Sequence, residues 1–233
     1  MSDEAGHPDG TATSLVAGVY ELFHEGEPSG TERWHIGRAG HGLIAEGEQI
    51  WAPPFPYPNT QRYRVELSPD WRVSGLEIDW MVRDRHLRAS HRAQGETWIG
   101  RIDHEGQARD QRGNYPYSAE VGYGSHLFNT FTLLRRGFGP GTDEEFPVLF
   151  IGPPLMAVTP DRQRYRFVER GEVQIPAGRF EAWRWLLTHP TRPGQSDYTF
   201  WTDHEGVVLE SYEAPEPGRI WMRLVEYRRF DVC

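Results

Sequence analysis

The sequence contains no lysine, so arginine carries every permanently basic side chain of the 233 residues. Without lysine there is no Schiff-base chemistry, no attachment point for pyridoxal phosphate and no P-loop cation. Cysteine is nearly absent as well, because Cys233, the last residue, is the only one. A single cysteine excludes an internal disulfide and argues against a cysteine nucleophile or a thiolate metal site.

Long apolar runs are also missing, and none approaches the roughly 18 to 20 residues of a helical membrane span. Residues 1–14 are polar and acidic without the apolar core of a signal peptide, and we expect a disordered tail there. The net charge of −9 with scattered arginines argues against a nucleic-acid partner. These features predict a cytoplasmic protein with a single domain over residues 15–233, and they leave its oligomeric state open.

Alternation of apolar and polar residues occupies most of the chain. In residues 62–67, for example, Tyr63, Val65 and Leu67 share one face. The triplet His-Glu-Gly occurs at 24–26, 104–106 and 204–206, each time between two such runs, where glycine supplies the positive φ of a tight turn. The pattern predicts an all-β protein with one short helix, in which roughly ten to twelve strands form an antiparallel meander curled into a barrel or half-barrel.

The alternation gives way to a different pattern between about 114 and 160. Ser125 is a good helix N-cap, Leu127, Phe131 and Leu134 form a helical stripe, and Gly137 follows the last helical residue. This segment predicts one short helix. It would act either as a lid over a cavity, with the flanking glycines as hinges, or as a permanent plug in the core.

Nine tryptophans are many for one domain. Large aromatic side chains on the inner face of a barrel either fill the core or line an apolar pocket. A pocket would bind an elongated hydrophobic small molecule such as a lipid, isoprenoid or polyketide. The candidate ligand-binding residues are Trp34, Tyr63, Trp80, Trp98, Phe131, Trp183 and Trp201.

Three side chains are candidates for acid–base catalysis in such a pocket. Glu32 shares a face with Trp34, where burial would raise its pKa towards that of a general acid, unless it forms a structural ion pair with Arg223. His91 lies on a face of small apolar residues and is either a general base or a core histidine. Asp79 is a third catalytic candidate, with a solvated carboxylate as the alternative.

With these groups the protein would be a cofactor-independent enzyme, such as a hydratase, isomerase, cyclase or other lyase, rather than a carrier. The ten histidines do not fall into His-Glu-x-x-His spacing, so no metal site is predicted. There is no Gly-x-Ser-x-Gly elbow and no dinucleotide fingerprint. A third interpretation is an interaction module whose sheet edges pair with a partner protein.

The C-terminal third holds the most distinctive succession of residues: EVQIPAGRFEA at 172–182, FWTDHEGVVL at 200–209 and LVEY at 224–227. Near the N-terminus, AGVY at 17–20 and GTERW at 30–34 fit the same pattern. This succession resembles a widespread family of uncharacterised bacterial proteins described as putative glycolipid-binding. That family is related in fold to the lipoprotein-localisation and lipoprotein-carrier half-barrels. The resemblance implies a long antiparallel sheet curled around an apolar cavity, and it brings no catalytic residue with it.

Overall fold

The computed structural model describes residues 13–192, 196–215 and 218–230. Its elements are β1 (Thr13–His24), β2 (Glu27–Ala39), β3 (Gly42–Trp51), β4 (Asn59–Leu67), β5 (Val73–Val82), β6 (Arg85–Gln94), β7 (Thr97–His104), β8 (Gln107–Asn114), β9 (Glu120–Gly122), α1 (Leu127–Arg136), β10 (Asp143–Gly152), β11 (Ala157–Ile175), β12 (Gly178–Thr188), β13 (Tyr198–Thr202), β14 (Val208–Glu213) and β15 (Ile220–Arg229). The predicted tail lies outside the described residues except for Thr13 and Ser14, which belong to β1, and Cys233 also lies outside them.

All these strands form one sheet in the order β8-β7-β6-β5-β4-β3-β2-β1-β15-β14-β13-β12-β11-β10-β9. Neighbouring strands are antiparallel, apart from the parallel pair β9 and β10. The predicted fold class, an all-β antiparallel meander, is therefore confirmed. The sheet curls until β8 comes near β11, where the Val158 N–H donates to the Gln111 side chain at 3.1 Å, but no strand pairing in the described part of the chain closes it.

The expected strand count was too low, since the described residues contain fifteen strands. The sequence pattern gives no sign of β9, because its three residues are all buried and do not alternate. In the sequence, buried strands of this kind are short apolar runs, and periodicity alone cannot assign such a run to a strand or a helix.

Helix α1 packs inside the curled sheet, with seven of its ten residues buried. The N-cap position is His126 and not the predicted Ser125, and His126 makes no side-chain capping hydrogen bond. The Ser125 hydroxyl, one residue earlier, accepts a hydrogen bond from the Leu127 N–H at 3.2 Å. At the other end Gly137 adopts a left-handed φ of 60°, as the sequence predicts. This packing is the one expected of a plug. In the described part of the chain, no helix is long and apolar enough to cross a bilayer.

The first two His-Glu-Gly triplets are tight hairpin turns, as predicted. Gly26 and Gly106 have φ values of 86° and 82°, and the residue before each also has positive φ. The third triplet differs, although Gly206 has a φ of 81°. There Asp203 accepts hydrogen bonds from the N–H groups of Glu205 and Val207, so a longer loop joins β13 to β14.

Candidate functional site

A cavity of about 480 Å³ lies between the N-terminal end of α1 and the inner face of the sheet. This size falls within the roughly 300 to 1,000 Å³ of small-molecule pockets. Elements from both halves of the chain contribute to its wall, so it forms only in the complete curled sheet. Its polar wall residues include Glu32, Ser125, His126, Asn129, Gln163 and His189.

Aromatic side chains form much of the rest of the wall. Trp51 packs on Phe55 with ring centroids 4.6 Å apart, and Tyr198 stacks on Trp221 at 5.7 Å and 19°. All four are only half-buried. Phe55 belongs to the proline-rich segment between β3 and β4, which forms one side of the cavity. The cavity therefore combines apolar aromatic surface with a small set of polar groups.

Glu32 lies in this wall and is fully buried. Its Oε1 accepts hydrogen bonds from the hydroxyls of Tyr63 and Ser125, the latter at 2.6 Å, while Oε2 has no hydrogen-bond partner among the described residues. Burial raises the pKa of Glu32 to about 6, and the side chains of Ser125, Tyr63 and Gln49 limit that rise. This carboxyl group can therefore change its protonation state close to neutral pH.

The predicted ion pair between Glu32 and Arg223 is wrong. The Arg223 Nε lies 3.4 Å from Glu210 Oε2 instead. The prediction assumed that the apolar residues two positions before and after Arg223 lie on the inner face of the strand, which would place Arg223 on that face as well. Its immediate neighbours Met222 and Leu224 are fully buried, so they form that face and Arg223 points outward.

His126, directly before α1, is a wall residue that sequence reasoning missed. Its Nδ1 accepts a hydrogen bond from the Asn129 side-chain amide at 3.2 Å, and its Nε2 lies 3.2 Å from the Ser211 hydroxyl. Burial lowers the pKa of His126 to about 4, so the imidazole is neutral at physiological pH. Asn129 also accepts a hydrogen bond from the Tyr165 hydroxyl at 2.7 Å. These groups form an uncharged hydrogen-bonded network along one side of the cavity.

His189 and Asp161 form a second polar cluster that the sequence did not reveal. The His189 Nδ1 lies 3.1 Å from Asp161 Oδ2, and the two side chains are only 2% and 0% exposed. The Thr191 hydroxyl donates to the other carboxylate oxygen at 3.0 Å, whereas His189 Nε2 has no partner among the described residues. The two residues are 28 positions apart and meet only because β11 pairs with β12. No sequence motif could have found them.

The other catalytic candidates lie away from Glu32 and outside the cavity wall. His91 is a fully buried histidine stacked on Trp98 at 6.1 Å, and burial lowers its pKa to about 4. Asp79 lies on the outer face, 2.8 Å from His86 Nε2 and 3.4 Å from Arg88 Nε. Catalysis by either residue stays a prediction.

None of the seven predicted ligand-binding residues lies in the wall of this cavity. Four of them are fully buried in the core, and three are half-buried. Tyr63 is connected to the cavity, because its hydroxyl donates a hydrogen bond to Glu32, which lies in the wall. Ligand contact by these residues stays a prediction: Trp34, Tyr63, Trp80, Trp98, Phe131, Trp183 and Trp201.

A larger depression, about 1020 Å³, lies over the outer face of β1 to β7 and β15. Trp34, Tyr63 and Asp79 border it. Many of its charged side chains pair with one another across neighbouring strands, as Arg62 does with Glu48 at 2.7 Å. The cavity beside α1 is the better candidate site, because its wall holds the buried carboxyl group of Glu32 and the buried Asp161–His189 pair. Among the described residues, no three His, Cys, Asp or Glu side chains cluster as metal ligands would.

Two solved structures share this fold. A DUF1089 family protein from Pseudomonas aeruginosa is 16% identical, with a TM-score of 0.52 over 76% of this chain and 87% of its own. A β-barrel-like protein from Brucella abortus, of the domain of unknown function DUF1849, is 8% identical, with a TM-score of 0.64 over 94% of this chain and 99% of its own. At such identities the likeness concerns the fold alone. No curated protein matches the chain.

One family model matches residues 24–211, which is most of the chain. The matched segment includes α1, the Glu32 cluster and the Asp161–His189 pair. The structural neighbours agree with a barrel-like fold of this kind. The chain therefore belongs to the family described as putative glycolipid-binding.

Proposed function

We propose that the protein binds an elongated hydrophobic small molecule, such as a lipid, in the cavity between α1 and the sheet. The observation that carries this proposal is the combination of a cavity volume of about 480 Å³ with aromatic walls. Apolar ligand surface buried there contributes about 25 cal/mol per Å². The family's description also supports a lipid-like ligand.

Trp51, Phe55 and Trp221 are the side chains that we expect to cover the apolar part of the ligand. They are only half-buried, so a bound apolar chain would remove their exposed ring surface from water. Tyr198, stacked on Trp221, extends this surface towards the polar end of the cavity at His126 and Asn129. An elongated molecule with one polar end fits this order of groups.

Titration with Nile red, an uncharged hydrophobic fluorophore, tests the proposal. We expect saturable binding with a stoichiometry near one, and displacement of the probe by a bacterial lipid extract. Phe55→Ser should weaken binding about tenfold, as loss of one aromatic contact does. The matched control is Tyr117→Ser, which changes an exposed aromatic residue outside the cavity. Absence of saturable binding would refute the proposal.

A cofactor-independent acid–base enzyme acting on the same ligand is the second candidate. It is supported by two titratable side chains in one wall, Glu32 with its raised pKa and His189 with its carboxylate partner. In that case the protein should change the composition of a bacterial lipid extract, as measured by mass spectrometry. Glu32→Gln should then keep Nile red binding while conversion falls by about 10² to 10⁴. An extract left unchanged by the wild-type protein would argue for a carrier.

A further inference from the structure

The proline-rich segment between β3 and β4 has two apolar sides. Residues 52–58, APPFPYP, contain no charged side chain, in a protein of which 25% is charged. Phe55 lines the cavity, whereas Tyr57 is 62% exposed and lies outside the cavity wall. The other exposed residues of the segment are Ala52, Pro53, Pro54 and Pro56. The segment therefore borders the cavity on one side and presents an uncharged, largely apolar surface to solvent on the other.

Backbone hydrogen bonds hold this segment in place. The Ala52 N–H donates to the Ser29 carbonyl at 2.7 Å, and the Asn59 side-chain amide donates to the Tyr57 carbonyl at 2.8 Å. The Tyr57 ring also packs edge-on against Phe55, with centroids 6.4 Å apart. The outward surface is thus fixed in position, and a partner that covers it would remove its apolar groups from water.

Two further exposed apolar side chains lie at the same end of the sheet. Ile50 is 45% exposed and Met81 is 40% exposed. Thr60 pairs with both of them, so the three residues form one cross-strand row. We call the exposed residues of 52–58, together with Ile50 and Met81, the rim patch. Exposed apolar surface gathered in one place, rather than scattered singly, marks an interaction site.

The turn between β5 and β6 brings positive charge next to the rim patch. Its position follows from the pairing of Asn59, the residue after the proline-rich segment, with Val82. Arg83 and Arg85 in this turn are exposed, and neither forms an ion pair with another described residue. Asp84 offsets one of the two charges, so the turn keeps a net positive charge. Arginine beside an apolar surface favours a partner that carries phosphate groups.

The remaining charges at this end limit how strongly an anionic partner is attracted. On the other side of the cavity, Glu25 is paired with Arg219 at 3.5 Å, and Glu27 is exposed. The whole protein has a net charge of −9. Attraction to phosphate is therefore local to the turn at 83–85, and the apolar surface must supply most of the binding.

We propose that the rim patch docks on the surface of a lipid bilayer, with Tyr57 at the level of the head groups and the two arginines near lipid phosphates. Tyrosine favours this interfacial position, and an apolar surface with basic residues beside it binds there. The inference rests on the proposed function, because a hydrophobic ligand is drawn from a membrane or returned to one. Phe55 faces the cavity and Tyr57 faces the bilayer, so the ligand passes between them along one short segment.

Flotation with vesicles tests the docking. The full chain is mixed with vesicles of phosphatidylcholine and phosphatidylglycerol in a 3:1 ratio, and the protein that floats with the lipid is measured. We expect the wild-type protein to float with the vesicles. A wild-type protein that stays entirely in the aqueous fraction would overturn the inference.

Two variants test the named side chains. Tyr57→Ser should weaken vesicle binding about tenfold, since one interfacial aromatic residue is lost. Arg85→Gln should weaken it about fivefold, the usual effect of one arginine near a phosphate-bearing surface. Tyr117→Ser is the matched control, because Tyr117 is also 62% exposed but lies between β8 and β9, outside the cavity wall. Equal effects of Tyr57→Ser and Tyr117→Ser would refute the inference.

The rim patch could instead be covered by a second copy of the chain. Sedimentation velocity without lipid distinguishes the two partners, and we expect no dimer whose formation depends on Tyr57. A concentration-dependent dimer that Tyr57→Ser abolishes would assign the patch to self-association and overturn the inference.

Failure of docking and failure of the proposed function are distinguishable. Nile red titration without vesicles reports on the cavity alone, and Tyr57→Ser should leave it unchanged. Nile red binding by a wild-type protein that does not float removes this inference and leaves the proposed function standing. Absence of both removes the proposed function as well.

Discussion

At the scale of single residues, Glu32 shows how the interior of a curled sheet changes a carboxyl group. Burial removes the side chain from water, and two hydroxyl donors on one oxygen compensate only part of that cost. The negative charge of Glu32 also acts on Tyr63. After burial, this charge is the largest cause of the raised pKa of Tyr63. Glu32 is therefore the side chain of this cluster that can exchange a proton near neutral pH.

We predict that Glu32 makes stability depend on pH between its unfolded and folded pKa values. The folded pKa of about 6 lies above the ordinary value of 4.5, so the folded state binds more protons in this window. The free energy of unfolding should therefore fall as pH rises from 4.5 to 6, by about 2 kcal/mol from this group. Glu32→Gln should lack this decrease, as measured by urea denaturation across the window.

The difference in the free energy of unfolding between wild type and Glu32→Gln isolates the contribution of Glu32. Glu32 is faced by the tyrosines Tyr20, Tyr63 and Tyr123 and by the uncharged side chains of Gln49 and Ser125. Burial raises the pKa values of the three tyrosines above 10, so none of these groups titrates in the window. His91 and His126, with pKa values lowered to about 4, destabilise the fold as pH falls below 6.5, but they do so in both proteins. A difference that stays flat from pH 4.5 to 7 would contradict the prediction.

Sequence reasoning reached part of this chemistry. Strand alternation was enough to predict that Glu32 is buried, because its face is shared with Trp34. It could not identify the partners, since Tyr63 and Ser125 come from β4 and from the start of α1. His189 and Asp161 were missed for the same reason, as strand pairing rather than spacing brings them together.

At the scale of elements, α1 and the tight turns were the most predictable parts. The helix has an apolar stripe and a terminal glycine, both of which are local signals. The turns at Gly26 and Gly106 need positive φ, which the sequence also signals. The strand β9 gave no such signal, because its three residues are all buried and its pairing with β10 joins distant residues such as Glu120 and Val148.

Hydrogen exchange distinguishes a lid from a plug. Because residues 127–133 are buried, we expect the amides of α1 to exchange as slowly as those of β1 and β2. Addition of Nile red should change this protection little. The amides of α1 exchanging faster than the strands, and gaining protection with the probe, would show instead that the helix opens as a lid over the cavity.

At the scale of the whole molecule, the curled sheet has a seam between β8 and the strands at its other end. The loop before β11 spans this seam: Met156 is fully buried, whereas the neighbouring Leu155 is 52% exposed. Beyond the loop, the hydrogen bond from Val158 to Gln111 joins the two sides. The sequence predicted a curled sheet, but not whether it closes, because closure depends on the summed twist of every strand.

We predict that Met156 holds this seam. Met156→Ala should lower the free energy of unfolding by about 2 to 5 kcal/mol, the usual cost of truncating a buried large side chain. The adjacent exposed Leu155→Ala should change it by less than about 0.5 kcal/mol. Urea denaturation measures both. Equal effects of the two substitutions would show that the loop only covers the seam.

The strand order also has a consequence for how the chain folds. Every neighbouring pair in the sheet joins strands that are consecutive in sequence, apart from β1 and β15, whose pairing brings Val16 opposite Arg229. Local hairpins form in microseconds, whereas a contact between distant parts of a chain must first overcome the entropy of loop closure. We therefore expect two meanders, β1 to β8 and β10 to β15, to form early and to join late. The cavity draws on both, so a newly made chain gains this cavity only at that last step.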